Sequence, residues 1–286
     1  MKILVLAGVC ALISFSVSLS LQSAEYLEED FGERIIGGYE ATQGMFKYQT
    51  AIFIEDRSNG SMVGFCNGAL VSPDYVLTLA HCIPDDLTGL QITVWFGALN
   101  ISATTESGRE INSVDFLFIH PEFDRASLAN DIAVLHLQER VAPAPFVSPI
   151  RMAPPADVNE TYQGETLRTC GWGARMDLGV LTEFSDILQF ADNVGENITV
   201  CENYYATTPE FIIDETKICL STTGARGPCK NDEGAPLSFQ QDNTDTLVGL
   251  FALGNYTNCI RSAPVVYTRV ASHWDFITDV TGLTPS

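Results

Sequence analysis

The stretch Cys229-Lys230-Asn231-Asp232-Glu233-Gly234-Ala235-Pro236-Leu237 carries more of this chain's meaning than any other. Three further stretches precede it in order: Arg34-Ile35-Ile36-Gly37-Gly38, Thr78-Leu79-Ala80-His81-Cys82 and Asn130-Asp131-Ile132-Ala133-Val134-Leu135. A histidine that activates a nucleophile needs a carboxylate to hold its tautomer and stabilise the imidazolium, and His81 and Asp131 are residues of those types. Glu233 is not a nucleophile that a histidine can activate. It offers no hydroxyl from which an alkoxide and the usual acyl-enzyme would form.

Around these stretches the chain alternates short apolar runs with turn clusters. Tyr48–Ile54, Gly68–Ser72, Tyr75–Thr78, Gln91–Phe96, Ile132–Leu137 and Thr246–Leu253 are rich in β-branched and aromatic residues. Between them lie turn sequences such as Arg57-Ser58-Asn59-Gly60 and Ser72-Pro73-Asp74. Helical periodicity is confined to Val200–Tyr205 and Ser272–Val280, where Trp274, Ile277 and Val280 share a face. Many strands with little helix predict an all-β barrel or sandwich, and pattern alone does not choose between them.

The start of the chain predicts export. Lys2 precedes an apolar run from Ile3 to Val17, and Ser18-Leu19-Ser20 and Ala24 offer cleavage sites. The run is short for a membrane span, and none follows downstream. Residues 1–20 therefore read as a signal peptide cleaved between about 18 and 24, and 21–34 as a short acidic segment. The net charge is −21; residues 1–34 hold two bases and five acids, which leaves 13 bases against 31 acids from Ile35 onward. Such a field repels nucleic acid and anionic membranes. It suits a soluble extracellular surface or a basic partner.

On the four stretches the chain resembles the chymotrypsin-like serine protease family, whose nucleophile loop reads C-x-G-D-S-G-G-P-L. Phe46-Lys47-Tyr48-Gln49 and Gly171-Trp172-Gly173 look most like the insect chymotrypsin and collagenase-like branch. The resemblance covers residues 35–286. It implies two six-stranded antiparallel β-barrels with a cleft between them and a short C-terminal helix. It also implies that His81 and Asp131 keep two triad positions while Glu233 replaces the nucleophilic serine. Asn231 and Glu233 would supply the oxyanion-hole amides, and asparagine tolerates the left-handed backbone that a glycine usually takes there. Gly227, Ala252, Leu253, Gly254 and Val265 would line the primary specificity pocket. Gly227 stands where trypsin-like members carry aspartate, Ala252-Leu253 replace the usual serine and aromatic, and Val265 narrows a wall that is commonly glycine. Cleavage after Arg34 by a trypsin-like protease would free the Ile35 amine to pair with Asp232, since a buried ammonium needs such a partner.

Eight cysteines are present, and Cys10 leaves with the signal. The resemblance pairs Cys66–Cys82, Cys201–Cys219 and Cys229–Cys259, and leaves Cys170 either a buried thiol or a bridge to another molecule. Asn59, Asn100, Asn159, Asn197 and Asn255 head glycosylation sequons. No C-x-x-C or His-rich cluster points to a metal, and no cofactor is implied. With Glu233 plugging the site, the expectation is a secreted serine protease homolog that works by binding an extracellular protein. It would be a co-factor, decoy or regulator in a proteolytic or immune cascade, or a host-interaction factor. Its rivals are a hydrolase with an altered nucleophile and a module that recognises carbohydrate or microbial surfaces through variable loops. If Glu233 is inert, its carboxylate should turn toward His81 and the oxyanion amides, holding the imidazole charged between two carboxylates.

Overall fold

A computed structural model describes residues 37–177, 182–208, 210–224, 226–256, 259 and 263–285. The signal, the acidic segment and the Arg34–Ile35 junction lie outside the described residues. The first barrel is built from β1 (Gln49–Asp56), β2 (Met62–Ser72), β3 (Tyr75–Thr78), β4 (Leu90–Phe96), β5 (Glu110–Ile119) and β6 (Ala133–Leu137). Antiparallel pairing in the order β1-β2-β3-β6-β5-β4 closes it, which removes free sheet edges. Alternation does the sorting: Ile52, Ile54, Ile92, Val94 and Phe96 turn into the barrel. On the outer face Phe53 stacks at 4.6 Å on Trp95.

The second barrel uses β7 (Thr166–Gly171), β8 (Gln189–Glu196), β9 (Lys217–Ser221), β10 (Pro236–Gln241), β11 (Thr244–Leu253) and β12 (Val265–Arg269). Its ring runs β8-β9-β12-β11-β10-β7 and closes through pairing of β7 with β8. Leu167, Ile218, Leu220, Leu237, Val248, Phe251, Val265 and Tyr267 fill it. A third apolar cluster joins the two barrels through Ala51, Leu77, Ile150, Trp172, Leu247, Leu250 and Trp274. Helix α1 (Ile198–Tyr205) is capped by the Asn197 side chain, which accepts from the Thr199 amide. Helix α2 (Trp274–Thr281) buries Trp274 and Ile277 and ends at Gly282, whose φ of 69° is left-handed.

The strands expected from pattern are present within two residues at most ends, except that β2 begins six residues earlier, at Met62. Strands β5, β7, β8, β9, β10 and β12 escape a reading by apolar runs. Most of the β5 side chains are exposed or half-buried, with Phe116 60 % exposed. In β7 and β8 the facing pair Arg168–Asp192, at 2.6 Å, breaks the apolar alternation on the outer face. The three disulfides expected from the resemblance are formed, with Cα separations of 6.1, 5.9 and 5.8 Å. Cys170 is a buried free thiol that donates to Gln49 Oε1 at 3.2 Å. Burial pushes its pKa well up, so it packs as an inert group rather than a reactive one. A bridge from Cys170 to another molecule has no access to it. Among the described residues no helix is long and apolar enough to cross a membrane.

Candidate active site

The first barrel brings His81 and Asp131 together although they are 50 residues apart. Thr78, the last residue of β3, pairs with Ala133, the first of β6, so the chain leaves β3 beside the point where it enters β6. His81 sits in the short 3-10 turn Ala80–Cys82 that follows β3, and the Cys66–Cys82 disulfide ties that turn to β2. On the other side Asn130 takes φ 51° immediately before Asp131, a conformation that asparagine tolerates. The fully buried Asp131 accepts from the His81 amide at 2.9 Å and from His81 Nδ1 at 2.6 Å. This fixes the ring with Nδ1–H toward Asp131 and Nε2 free to face the cleft.

The second barrel supplies the loop that ends in Glu233. Gly234 takes φ 79°, and a Cβ there would collide with the Asn67 carbonyl oxygen. That position admits glycine alone. The Gly234 amide donates to Phe251 O at 2.9 Å, and the Asn67 amide donates to Glu233 O at 2.8 Å, so both barrels clamp the loop. Asn67 Nδ2 adds a bond to Asn231 O at 2.8 Å, with Gln49 Nε2 in turn donating to Asn67 Oδ1 at 2.9 Å. Asn231 has φ 66°, the left-handed backbone the sequence allowed for.

The Glu233 carboxyl is turned inward and partly buried. Burial raises its pKa; the amides of Glu233 itself and of Asn231, and the His81 charge, pull the other way. The buried Tyr256 hydroxyl faces the carboxyl without closing a well-formed hydrogen bond, and it too favours the ionised form. For His81 burial alone would lower the pKa. The Asp131 hydrogen bond and charge, with the Glu233 charge added, outweigh it and hold the imidazole above its ordinary value. The cleft thus contains a histidine favoured as a cation between two carboxylates.

Asp232 is fully buried, accepting from Gly173 N at 2.8 Å and Cys229 N at 3.0 Å. Among the described residues no basic side chain pairs with it. Burial lifts its pKa to about 7, against those two amide bonds. Of the residues expected to line the primary pocket, Ala252, Leu253 and Val265 are buried. A Cβ on Gly254 would lie 3.6 Å from Val265 Cγ1 and 3.1 Å from the tip of the Phe251 ring. Gly227 takes φ 146° against Thr222, and carries no charge into the pocket.

Three participants escape a sequence reading. Asn67 looks like a polar interruption in an apolar strand, and only its fully buried position at the Glu233 loop reveals its role. Tyr256 reads as a loop residue. Lys217 is 2 % exposed and donates from Nζ to Leu128 O at 2.7 Å, beneath the wall that carries Ala252 and Leu253. The one available signal is its place in Lys217-Ile218-Cys219-Leu220, a lone charge in an apolar run. Of the sequon asparagines, Asn59, Asn159 and Asn197 are exposed and Asn100 is partly so. The Asn255 side-chain amide donates to the Tyr204 hydroxyl at 2.7 Å. Among the described residues no cluster of three or more His, Cys, Asp or Glu is arranged to hold a metal.

The fold and this constellation together define a serine-endopeptidase-type scaffold. Residues 35–277 match the trypsin family model, and the chain belongs to that family. It is 32% identical over 253 residues to brachyurin of Leptuca pugilator, covering 88% of this chain and 100% of that protein. It is 28% identical over 276 residues to a collagenase of Hypoderma lineatum, covering 95% of this chain and 98% of the relative. A chymotrypsin of Phaedon cochleariae is 30% identical over 250 residues, which is 87% of this chain and 83% of that one. Among solved structures, HL collagenase superposes with a TM-score of 0.73 at 26% identity, over 87% of this chain and all of that one.

Proposed function

We propose that this chain is a secreted, non-catalytic member of the trypsin family that acts by binding a protein partner outside the cell. The observation that carries the reading is Glu233, whose carboxylate faces the retained His81 in the position where the family places its serine. With no hydroxyl there, the His81–Asp131 pair has nothing to activate, and only residual catalysis from the oxyanion amides would remain. Those amides already attend the Glu233 carboxyl group. The collagenase and chymotrypsin activities that the relatives' names record are therefore not carried over. The leader-like start and the three disulfides support an oxidising, extracellular setting. Within it the chain would serve as a co-factor, decoy or regulator of a proteolytic or immune cascade, or as a host-interaction factor, with cleavage after Arg34 as its switch.

Zymography, a peptide library and fluorophosphonate labelling test the first half of the reading. The protein should show no turnover and no label. Glu233→Ser alone should recover little, because Ala252, Leu253 and Val265 still misplace substrate, and misplacement of about 1 Å costs on the order of 100-fold. Robust hydrolysis by the unmutated protein would overturn the proposal. Capture of a protein partner from body fluid by Arg34-cleaved chain, against glycan and microbe pull-downs, tests the second half.

A further inference from the structure

An open cavity of about 490 Å³ shares no lining residue with the cleft. Three segments form it: residues 44–48 before β1, residues 148–151 between the barrels, and residues 243–245 at the turn from β10 to β11. Backbone bonding fixes all three. The Ser148 amide donates to Lys47 O at 3.0 Å, and Arg151 pairs in parallel with Thr246 of β11. Asp242 and Asn243 take left-handed φ of 51° and 60° between the paired Gln241 and Thr244, a tight two-residue reversal. The lining carries cations that the chain leaves without carboxylates, although 31 acids face 13 bases from Ile35 onward. Arg125, Arg140 and Arg168 each take an aspartate. Among the described residues the Lys47 ammonium has no partner, and the Arg151 guanidinium donates only to the Thr246 hydroxyl, at 2.9 Å. Asp245 lies in the same lining, but its carboxylate takes Gln240 Nε2 at 3.1 Å. In so acidic a chain, two cations that line one cavity and meet no carboxylate mark it as a place for an anion from outside.

We propose that this cavity binds a phosphate or sulfate ester carried on a sugar-sized polyol. A tetrahedral oxyanion offers three acceptor oxygens, which suits an ammonium and a guanidinium that arrive from different segments. A carboxylate, with two oxygens and one charge, satisfies them less fully. The cavity is several times larger than the oxyanion alone and falls in the size range of small-ligand sites. Its remaining donors suit the carrier's hydroxyls: Ser148, Asn243 and Thr244 line it, and among the described residues their side chains have no protein partner. Such a site serves a catalytic or a non-catalytic chain equally, since none of its residues belongs to the cleft.

The test is calorimetric titration of the intact protein with glucose 6-phosphate, glucose 6-sulfate and glucose. At least one ester should saturate with a Kd on the order of 1 mM, and glucose should not bind. The tighter ester names the source of the oxyanion. Lys47→Ala and Arg151→Gln should each weaken it about tenfold, the loss of one charge-assisted bond. Asp245→Asn should tighten it about fivefold, because a carboxylate leaves the lining, and a merely structural role gives no such gain. The His81 ring signals, followed by NMR through the same titration, should stay in place. No saturable binding of either ester, glucose binding as tight as theirs, or binding that survives both cation substitutions would overturn the proposal. An Asp245→Asn variant that binds no better would do the same, as would His81 signals that move with the ester and so put it in the cleft. Peptide hydrolysis measured on the same samples reports separately on the non-catalytic reading.

Discussion

The two barrels contribute unequal halves to one cleft. The first holds His81 and Asp131 at hydrogen-bonding distance, pinned by a disulfide and by the pairing of Thr78 with Ala133. The second carries Glu233 where, on the family resemblance, the nucleophile would stand. Ala252-Leu253 stand where the family resemblance puts a serine and an aromatic, and Phe251 and Val265 both approach the backbone at Gly254. The difference shows which half of such a site packing preserves. Asp131 is fully buried under His81, and removing either strands a polar group in the interior, whereas a pocket wall can turn apolar and join the core at no such cost.

If the second-barrel pocket wall has become core, Leu253→Ala should cost about 2–5 kcal/mol in denaturant unfolding, the range for a large aliphatic side chain lost from a packed interior. A loss near zero would mean that the pocket is still a solvent-facing cleft and would erase the contrast between the barrels.

The next effect concerns Asp232. Its pKa of about 7 in the folded chain stands above the ordinary aspartate value of 3.8, so the folded state binds a proton that the unfolded state releases. Stability is then fully present below about pH 4 and falls as pH rises to about 7, by on the order of 4 kcal/mol in the uncleaved chain. Asp232→Asn should remove that slope. Cleavage after Arg34 should do the same if the freed Ile35 amine reaches Asp232. A slope that persists after cleavage would show that the pairing implied by the family resemblance does not form.

The smallest effect separates the two halves directly. The pKa of His81, followed by NMR, should lie above the unperturbed value of about 6.5. It should fall further in Asp131→Asn than in Glu233→Gln, because Asp131 contributes a hydrogen bond and a charge and Glu233 a charge alone. For this raised histidine the linked stability is fully present below about pH 6.5 and lost as pH rises through the folded value. An apparent pKa at or below about 6.5 in the intact protein, or the reverse order of the two variants, would break the picture of a histidine held charged between two carboxylates.

The family resemblance carried by four short stretches in order implied the two barrels and the three disulfide pairs, and the fold contains both; strand pattern alone had left barrel and sandwich open. The strands that escaped the reading lack a simple alternation: β5 is exposed or half-buried along its whole length, β9 and β12 are buried on both faces, and the Arg168–Asp192 pair interrupts β7 and β8. Asn67, Lys217 and Tyr256 escaped for a different reason. Each is one polar residue whose weight comes from a residue distant in the chain: Asn231 for Asn67, Leu128 for Lys217 and Glu233 for Tyr256.

By itself the sequence determined that position 233 carries a carboxyl group and no hydroxyl, whatever its surroundings. Only the tertiary structure decided where that carboxylate goes. Burial, the amides of Asn231 and Glu233, His81 and the Tyr256 hydroxyl all act on it from separate parts of the chain, and their balance exists only once both barrels have closed around the cleft.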